Sequence, residues 1–248
     1  MIEIVALHGF TGAPGDWRPV VEHLDGVVCQ EIPIVGHHPS VLDVEVESFD
    51  DEVERLLGAV ANLGVTRPWL IGYSLGARLA LAMALRAGEP FAGVMLVGVR
   101  PGLDAEQRDA RRLADDRLAE RLENDGIEPF VDHWETLPLF ATQRRLPAAT
   151  LAAQRQRRLV HDPHGLAHAL RVLSPGRMDD YRSRLANLTV PVHLVVGAED
   201  LAFRDLANEM LTYLPDGRLH SIDATGHNPI LERPAAVAAF MQKEIIHE

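Results

Sequence analysis

The chain has 248 residues, 47% of them hydrophobic, and a formal net charge of −12. That length suits one large domain with a deep core and an insertion, and the negative balance argues against nucleic acid or an anionic membrane as partner. No apolar run approaches the roughly 20 residues needed to cross a bilayer.

Residues 2–7 are apolar and alternate little, as in a buried first strand, and no basic segment precedes them. They run into a glycine-rich loop, His8-Gly9-Phe10-Thr11-Gly12. A short helix is predicted over 14–24 and a second strand over 26–34, ended by Pro33 and by Gly36-His37-His38-Pro39. An acidic segment follows, with Asp43, Glu45, Glu47, Asp50, Asp51, Glu52 and Glu54. Val53, Leu56, Leu57 and Val60 share one helical face there, so its acidic residues are expected on a solvated face and first turn. Strands are predicted over 69–71 and 91–99. From 104 to 173 the pattern is helical, over 105–124, 127–134, 148–159 and 165–173. Strand signals return over 190–196 and 218–222, and a helix over 234–246 closes the chain. This alternation implies an α/β fold, a mostly parallel sheet with helices on both faces. Residues 1–100 and 185–248 form its core, and 101–184 are a helical cap insertion.

The most informative stretch is Gly72-Tyr73-Ser74-Leu75-Gly76, set between the third strand and an alanine- and leucine-rich helix over 77–87. Strand, sharp turn and helix with G-x-S-x-G is a nucleophile elbow. A serine hydroxyl reacts only if a histidine accepts its proton and an acid orients that histidine. The sequence supplies both, in the order serine, acid, histidine. Asp200 follows the strand over 190–196, and His227 lies in Gly226-His227-Asn228-Pro229. Glu199 and Asp223 are the fallback acids. The backbone N–H groups of Leu75 and Phe10 are the candidate oxyanion donors. His8 is read as bonding loop backbone. His37 and His38 are read as a turn at the pocket rim. His161, His164 and His168 are spaced for a metal, but Pro163 and Gly165 interrupt them, and no metal or cofactor is expected.

Residues 101–184 hold 14 arginines and 14 acidic residues, so the net charge lies elsewhere. The single cysteine, Cys29, rules out an intrachain disulfide and fits the cytoplasm. A monomer or small homo-oligomer is expected.

The triad order gives the α/β-hydrolase fold, which hosts many reactions. Finer features narrow it. Gly72-Tyr73-Ser74-Leu75-Gly76-Ala77-Arg78-Leu79-Ala80-Leu81 resembles the elbow of the 2-succinyl-6-hydroxy-2,4-cyclohexadiene-1-carboxylate synthases, the pyruvate-eliminating lyases of menaquinone biosynthesis. The resemblance extends over His8–Gly12 with Trp17, over Arg100-Pro101-Gly102-Leu103 with Arg108 and Arg111, and over Trp134 with Pro138-Leu139-Phe140. It continues through Asp162-Pro163-His164-Gly165, Gly197-Ala198-Glu199-Asp200 with Phe203, and Gly226-His227-Asn228. Val35-Gly36-His37-His38 departs from the family's Pro-Gly-His-Gly. The resemblance implies a substrate with three carboxylates, a serine acting as base, and no cofactor. Arginine binds carboxylates through a planar fork. Arg78, Arg111 and Arg158 (or Arg155 or Arg157) are the candidates, with Tyr73, Trp134 and Phe140 beside them. The residues alone also admit a serine carboxylesterase or thioesterase working through an acyl-enzyme, or a ligand receptor that keeps the triad.

Overall fold

Six short apolar segments pair side by side in the computed structural model, which describes residues 1–42, 44–87 and 90–246. They are β1 (Ile2–Leu7), β2 (Val27–Glu31), β3 (Trp69–Tyr73), β4 (Gly93–Val97), β5 (Val192–Gly197) and β6 (Gly217–Ile222). The order is β2-β1-β3-β4-β5-β6 and every pairing is parallel. The mostly parallel sheet expected from sequence is therefore wholly parallel among the described residues.

Side chains alternate along each strand and feed two cores. Val5, Leu7, Leu70, Val94, Leu96, Leu194 and Val196 face one way. They meet α2 (Phe49–Asn62), α3 (Leu75–Ala87) and α8 (Leu201–Leu211). Ile4, Ala6, Trp69, Ile71, Met95, Val97 and Val195 face the other way. They meet α1 (Arg18–Val21) and α10 (Pro234–Met241). Burial on both faces explains why the central strands β3, β4 and β5 are nearly continuous hydrophobic runs, while the edge strands β2 and β6 are only partly buried.

Four helices stand between β4 and β5: α4 (Ala105–Asp125), α5 (Ile127–Glu135), α6 (Ala148–Leu159) and α7 (Pro163–Leu173). α4 packs along α7. Ala119, Leu122, Phe130, Val131, Leu166, Ala167 and Leu170 form a small core of their own. The far end of α7 leaves it, since Ala169, Val172 and Leu173 join the main core. Ion pairs use up many of the arginines here: Arg171 with Glu123, Arg177 with Asp116, and Arg155 with Asp132 and Glu135. Each exposed pair contributes little stability.

Several predicted elements differ in detail. The helix over 14–24 is only α1. Gly15 sits at φ 105, and the Gly15 and Trp17 N–H groups donate to Glu31 Oε2 instead of building a helix. α8 carries too few buried large residues to be visible in sequence; only Ala207 and Met210 are buried. A 3-10 segment over Pro138–Arg145 and a short helix, α9 (Pro229–Glu232), were also not evident. The closing helix widens into a π turn over Gln242–Ile246. Glu52 is not on a solvated face. It is fully buried, accepts the Val35 N–H at 2.9 Å, and takes two bonds from Arg55 at 2.7 Å. A buried carboxylate is tolerable only when paired and bonded in this way. Asp43 lies outside the described residues. No helix among the described residues is long and apolar enough to cross a membrane.

Candidate active site

The strand order reverses between β1 and β3: the chain leaves β1 toward β2, then crosses back to build β3 on the other side. In an open parallel sheet, the crevice at such a switch, beyond the carboxyl ends of the strands, is where ligands bind. The loop after β1 carries Phe10, and the turn after β3 carries Ser74.

Ser74 lies at φ 52, in the left-handed region, and its N–H bonds the Val97 carbonyl at 2.8 Å. The flanking glycines are steric requirements. A Cβ on Gly72 would stand 2.3 Å from the Gly76 carbonyl oxygen, and one on Gly76 would stand 2.5 Å from the backbone oxygens of Leu7 and His8. The elbow can therefore turn tightly against β1 only with this sequence.

His227 Nε2 lies 3.0 Å from Ser74 Oγ, and its Nδ1 lies 2.7 Å from Asp200 Oδ2. The carboxylate accepts from Nδ1–H, which leaves Nε2 free to accept the serine proton. His227 is buried, with its ring 4.3 Å from Phe203 and 5.6 Å from Tyr73. Of the fallback acids, Glu199 pairs with Arg145 and Asp223 is exposed, so Asp200 alone meets the histidine. The Leu75 N–H opens α3, where no preceding turn can accept it, and the Phe10 N–H is likewise unbonded within the described residues. Phe10 and Leu75 line the same cavity as Ser74 and His227. Two N–H groups beside a reactive serine can hold an oxyanion.

That cavity has a volume of about 260 Å³. Tyr73, Trp134, Phe140, Arg78 and Arg111 line it, as does Arg100, which the sequence reading missed as a site residue. Its signal was positional: it stands three residues beyond the carboxyl end of β4. Trp134 Nε1 is buried and has no hydrogen-bond partner among the described residues. Tyr73 is buried, which pushes its phenol pKa up, so it stays a neutral donor. Arg78 is 9% exposed; one nitrogen donates to the Leu173 carbonyl at 2.9 Å and to Met178 Sδ at 3.5 Å. Burial, then the neighbouring Arg111, lowers its pKa to about 9. It is a cation at neutral pH all the same. Arg111 pairs with Asp115 at 2.8 Å, and Asp115 also accepts from Ser174 Oγ at 2.6 Å.

The other arginines separate clearly. Arg158 is buried, pairs with Glu135 at 3.1 Å, and sits 5.5 Å over the Phe140 ring. It lines a smaller polar chamber of about 40 Å³ that shares Phe10, Tyr73 and Phe140 with the main cavity. Arg157 lines the same chamber, 3.8 Å from Asp16. Arg155 is held by Asp132 and Glu135 on α5. The site thus has two chambers that share Phe10, Tyr73 and Phe140 in their linings, each with its own arginines.

The histidines near the first loop are structural. His8 Nδ1–H donates to the Gly9 carbonyl, and its Nε2 accepts the Ile34 N–H. His37 is buried against His8, Phe10 and His161, not at a rim as expected; His38 alone is exposed there. His161 turns to the Thr11 carbonyl, away from the exposed His164. Burial lowers all three pKa values in the cluster, His8 to about 4 and His37 and His161 also downward. The folded state therefore binds fewer protons than the unfolded chain below the ordinary value of 6.5. Stability from this cluster is complete above that pH and is lost as pH falls toward 4, by up to about 1.4 kcal/mol per pH unit per histidine. The melting temperature is expected to fall over this window. In His37→Gln it should fall less steeply; parallel curves would assign the acid loss to other groups.

Comparison with known proteins gives the family and the fold. Residues 4–240 match the alpha/beta hydrolase family. The 2-succinyl-6-hydroxy-2,4-cyclohexadiene-1-carboxylate synthase of Salmonella heidelberg (strain SL476) is 33% identical over 235 residues, 94% of this chain and 90% of that protein. The structure of MenH from S. aureus superposes with a TM-score of 0.92 at 32% identity, over 97% of this chain and 91% of that one. A thermophilic esterase from Thermogutta terrifontis superposes at 0.83 with 23% identity, over 98% of this chain and 89% of that one, a likeness of fold alone.

Proposed function

This chain belongs to the alpha/beta hydrolase family, among the 2-succinyl-6-hydroxy-2,4-cyclohexadiene-1-carboxylate synthases, and from that premise we propose how its residues carry the reaction. It eliminates pyruvate from 2-succinyl-5-enolpyruvyl-6-hydroxy-3-cyclohexene-1-carboxylate, in the cytoplasm, as a step of menaquinone biosynthesis. The observation that carries this reading is a serine–histidine–aspartate relay opening on a cavity with three arginines and one carboxylate. A pocket for neutral esters has no use for that surplus of cations.

The chemistry follows from the two structures of the ring. The substrate has its alkene at C3, and the product has alkenes at C2 and C4. C2 must lose a proton and C5 must lose the enolpyruvyl oxygen. The C2 proton is acidic because the succinyl ketone is adjacent. Ser74 Oγ takes it while passing its own proton to His227 Nε2. The charge that develops on the ketone oxygen is held by the Phe10 and Leu75 N–H groups. The C2–H electron pair becomes the C2–C3 alkene, the old alkene shifts to C4–C5, and the C5–O bond breaks. His227 returns the proton to the departing enolpyruvate, which becomes pyruvate. Nothing is oxidised or reduced, and the protein ends as it began. Asp200 keeps His227 in the tautomer that can accept.

The body of the chain is negative, yet screening confines its field to roughly 8 Å at physiological salt. Local arginines therefore dominate inside the cavity. The test is a coupled assay with enzymatically generated substrate, following pyruvate and product absorbance. One pyruvate per turnover, with no adduct on Ser74 by mass spectrometry, is expected. Burst hydrolysis of activated esters with a trapped acyl-Ser74, and no pyruvate, would make the protein an esterase instead.

A further inference from the structure

Arg100 has no acidic partner and no hydrogen bond among the described residues, although it is half-buried beside the reactive groups. Of the fourteen arginines over 101–184, nine have an acidic partner among the described residues, and the five without one do not line this cavity. Its guanidinium carbon stands 5.7 Å from the Phe203 ring, and the same ring lies 4.3 Å from His227. The stack Arg100–Phe203–His227 fixes where the cation sits: on the histidine side of the cavity. Arg78 approaches from elsewhere, held by Leu173 and Met178 and 5.9 Å from Phe49. Burial lowers the pKa of Arg100, and Arg111 and Arg182 lower it further.

The charge balance of the cavity is informative. Arg78, Arg100 and Arg111 line it, and the only acidic side chain lining it among the described residues is Asp115, already bonded to Arg111 and Ser174. Two cations are left without anions in a partly desolvated space. Buried charge persists in a fold when something of opposite charge completes it. Arg78 can serve one carboxylate, which leaves Arg100 for another.

We propose that Arg100 is a substrate-binding residue of this site: it holds a second carboxylate of the substrate on the His227 side of the cavity, separate from the one held by Arg78. The assignment rests on the polycarboxylate reading above. It makes the cavity selective for an anion with two carboxylates spaced across the ring, and it sets that carboxylate close to the histidine that handles the proton.

The experiment compares wild type, Arg100→Ala and Arg100→Lys. It measures calorimetric binding of propane-1,2,3-tricarboxylate at low salt, and kcat and KM for pyruvate release. Arg100→Ala is expected to weaken tricarboxylate binding and raise KM by roughly ten- to a hundredfold, with a smaller change in kcat and an unchanged melting temperature. Arg100→Lys should recover part of the affinity, since it keeps the charge but not the fork. Unchanged binding and KM in Arg100→Ala, with wild type releasing pyruvate, overturns the inference and leaves the lyase reading intact. A loss confined to kcat, or one that Arg100→Lys leaves unrecovered while the melting temperature drops, overturns it in favour of a role through Phe203. A wild type that neither releases pyruvate nor binds the tricarboxylate overturns the reading on which it rests.

Discussion

Ser74→Ala and His227→Ala are each expected to lower the rate of pyruvate release by at least roughly 10³-fold, and by similar amounts, because the two act as one proton relay. The geometry leaves no substitute. His227 Nε2 meets Ser74 Oγ at 3.0 Å, and the nearby His8 has both ring nitrogens committed to backbone. The double variant should lose little more than either single one. Asp200→Asn should lose nearly as much, since an amide facing Nδ1 favours the wrong tautomer. The fold should survive all three changes, because none of the three side chains is itself a member of the main cores, although His227→Ala gives up the ring's contacts with Tyr73 and Phe203. Circular dichroism and melting curves check this. Near-normal turnover in Asp200→Asn would exclude it as the orienting acid. Glu199 could replace it only by leaving Arg145.

The triad was legible because each member sits just past the end of its own strand, in a chain order that the fold dictates. The elbow was legible because glycine is obligatory at Gly72 and Gly76. What sequence could not give was the partition of the arginines. Arg78, Arg100, Arg111, Arg155, Arg157 and Arg158 are chemically identical in one dimension. Only the packing of α5 against α6 shows that Arg155 and Arg158 share Glu135, and only the fold shows that Arg100 has no acidic partner among the described residues. The same limit applies to Glu52, whose acidic neighbours suggested solvent but whose partner Arg55 and the Val35 N–H make burial tolerable. His37 and His38 both read as a turn at the pocket rim, but the turn buries His37 and leaves His38 exposed. α8 was missed because its inward face is built on an alanine and a methionine. For the arginines and for His37 the missing information was a partner far away in the chain.

Arg78→Ala is expected to cut kcat/KM for the cognate substrate by roughly ten- to a few hundredfold, the effect of losing one charge-assisted carboxylate bond of about 1.5–3 kcal/mol. Arg78→Lys should recover only part of it. A second measurement separates binding from structure. Burial depresses the folded-state pKa of Arg78 to about 9, below its ordinary 12.5. A base with a depressed folded-state pKa destabilises the fold wherever it is charged in both states, so the penalty is fully present below about pH 9. It is relieved as pH rises from there toward 12.5. At neutral pH the ligand-free protein therefore carries a buried cation compensated only in part, by the Leu173 carbonyl and the field of Asp115. Arg78→Met should hold or raise the melting temperature, the gain being offset in part by the bond lost to the Leu173 carbonyl. Lower activity together with equal or higher stability is the pattern of a residue kept for its ligand. Adding a polycarboxylate should then stabilise wild type and leave the variant nearly unchanged. Destabilisation by Arg78→Met, with equal loss of turnover on anionic and neutral substrates, would make Arg78 a structural brace between α3 and α7 and remove it from the substrate's carboxylates.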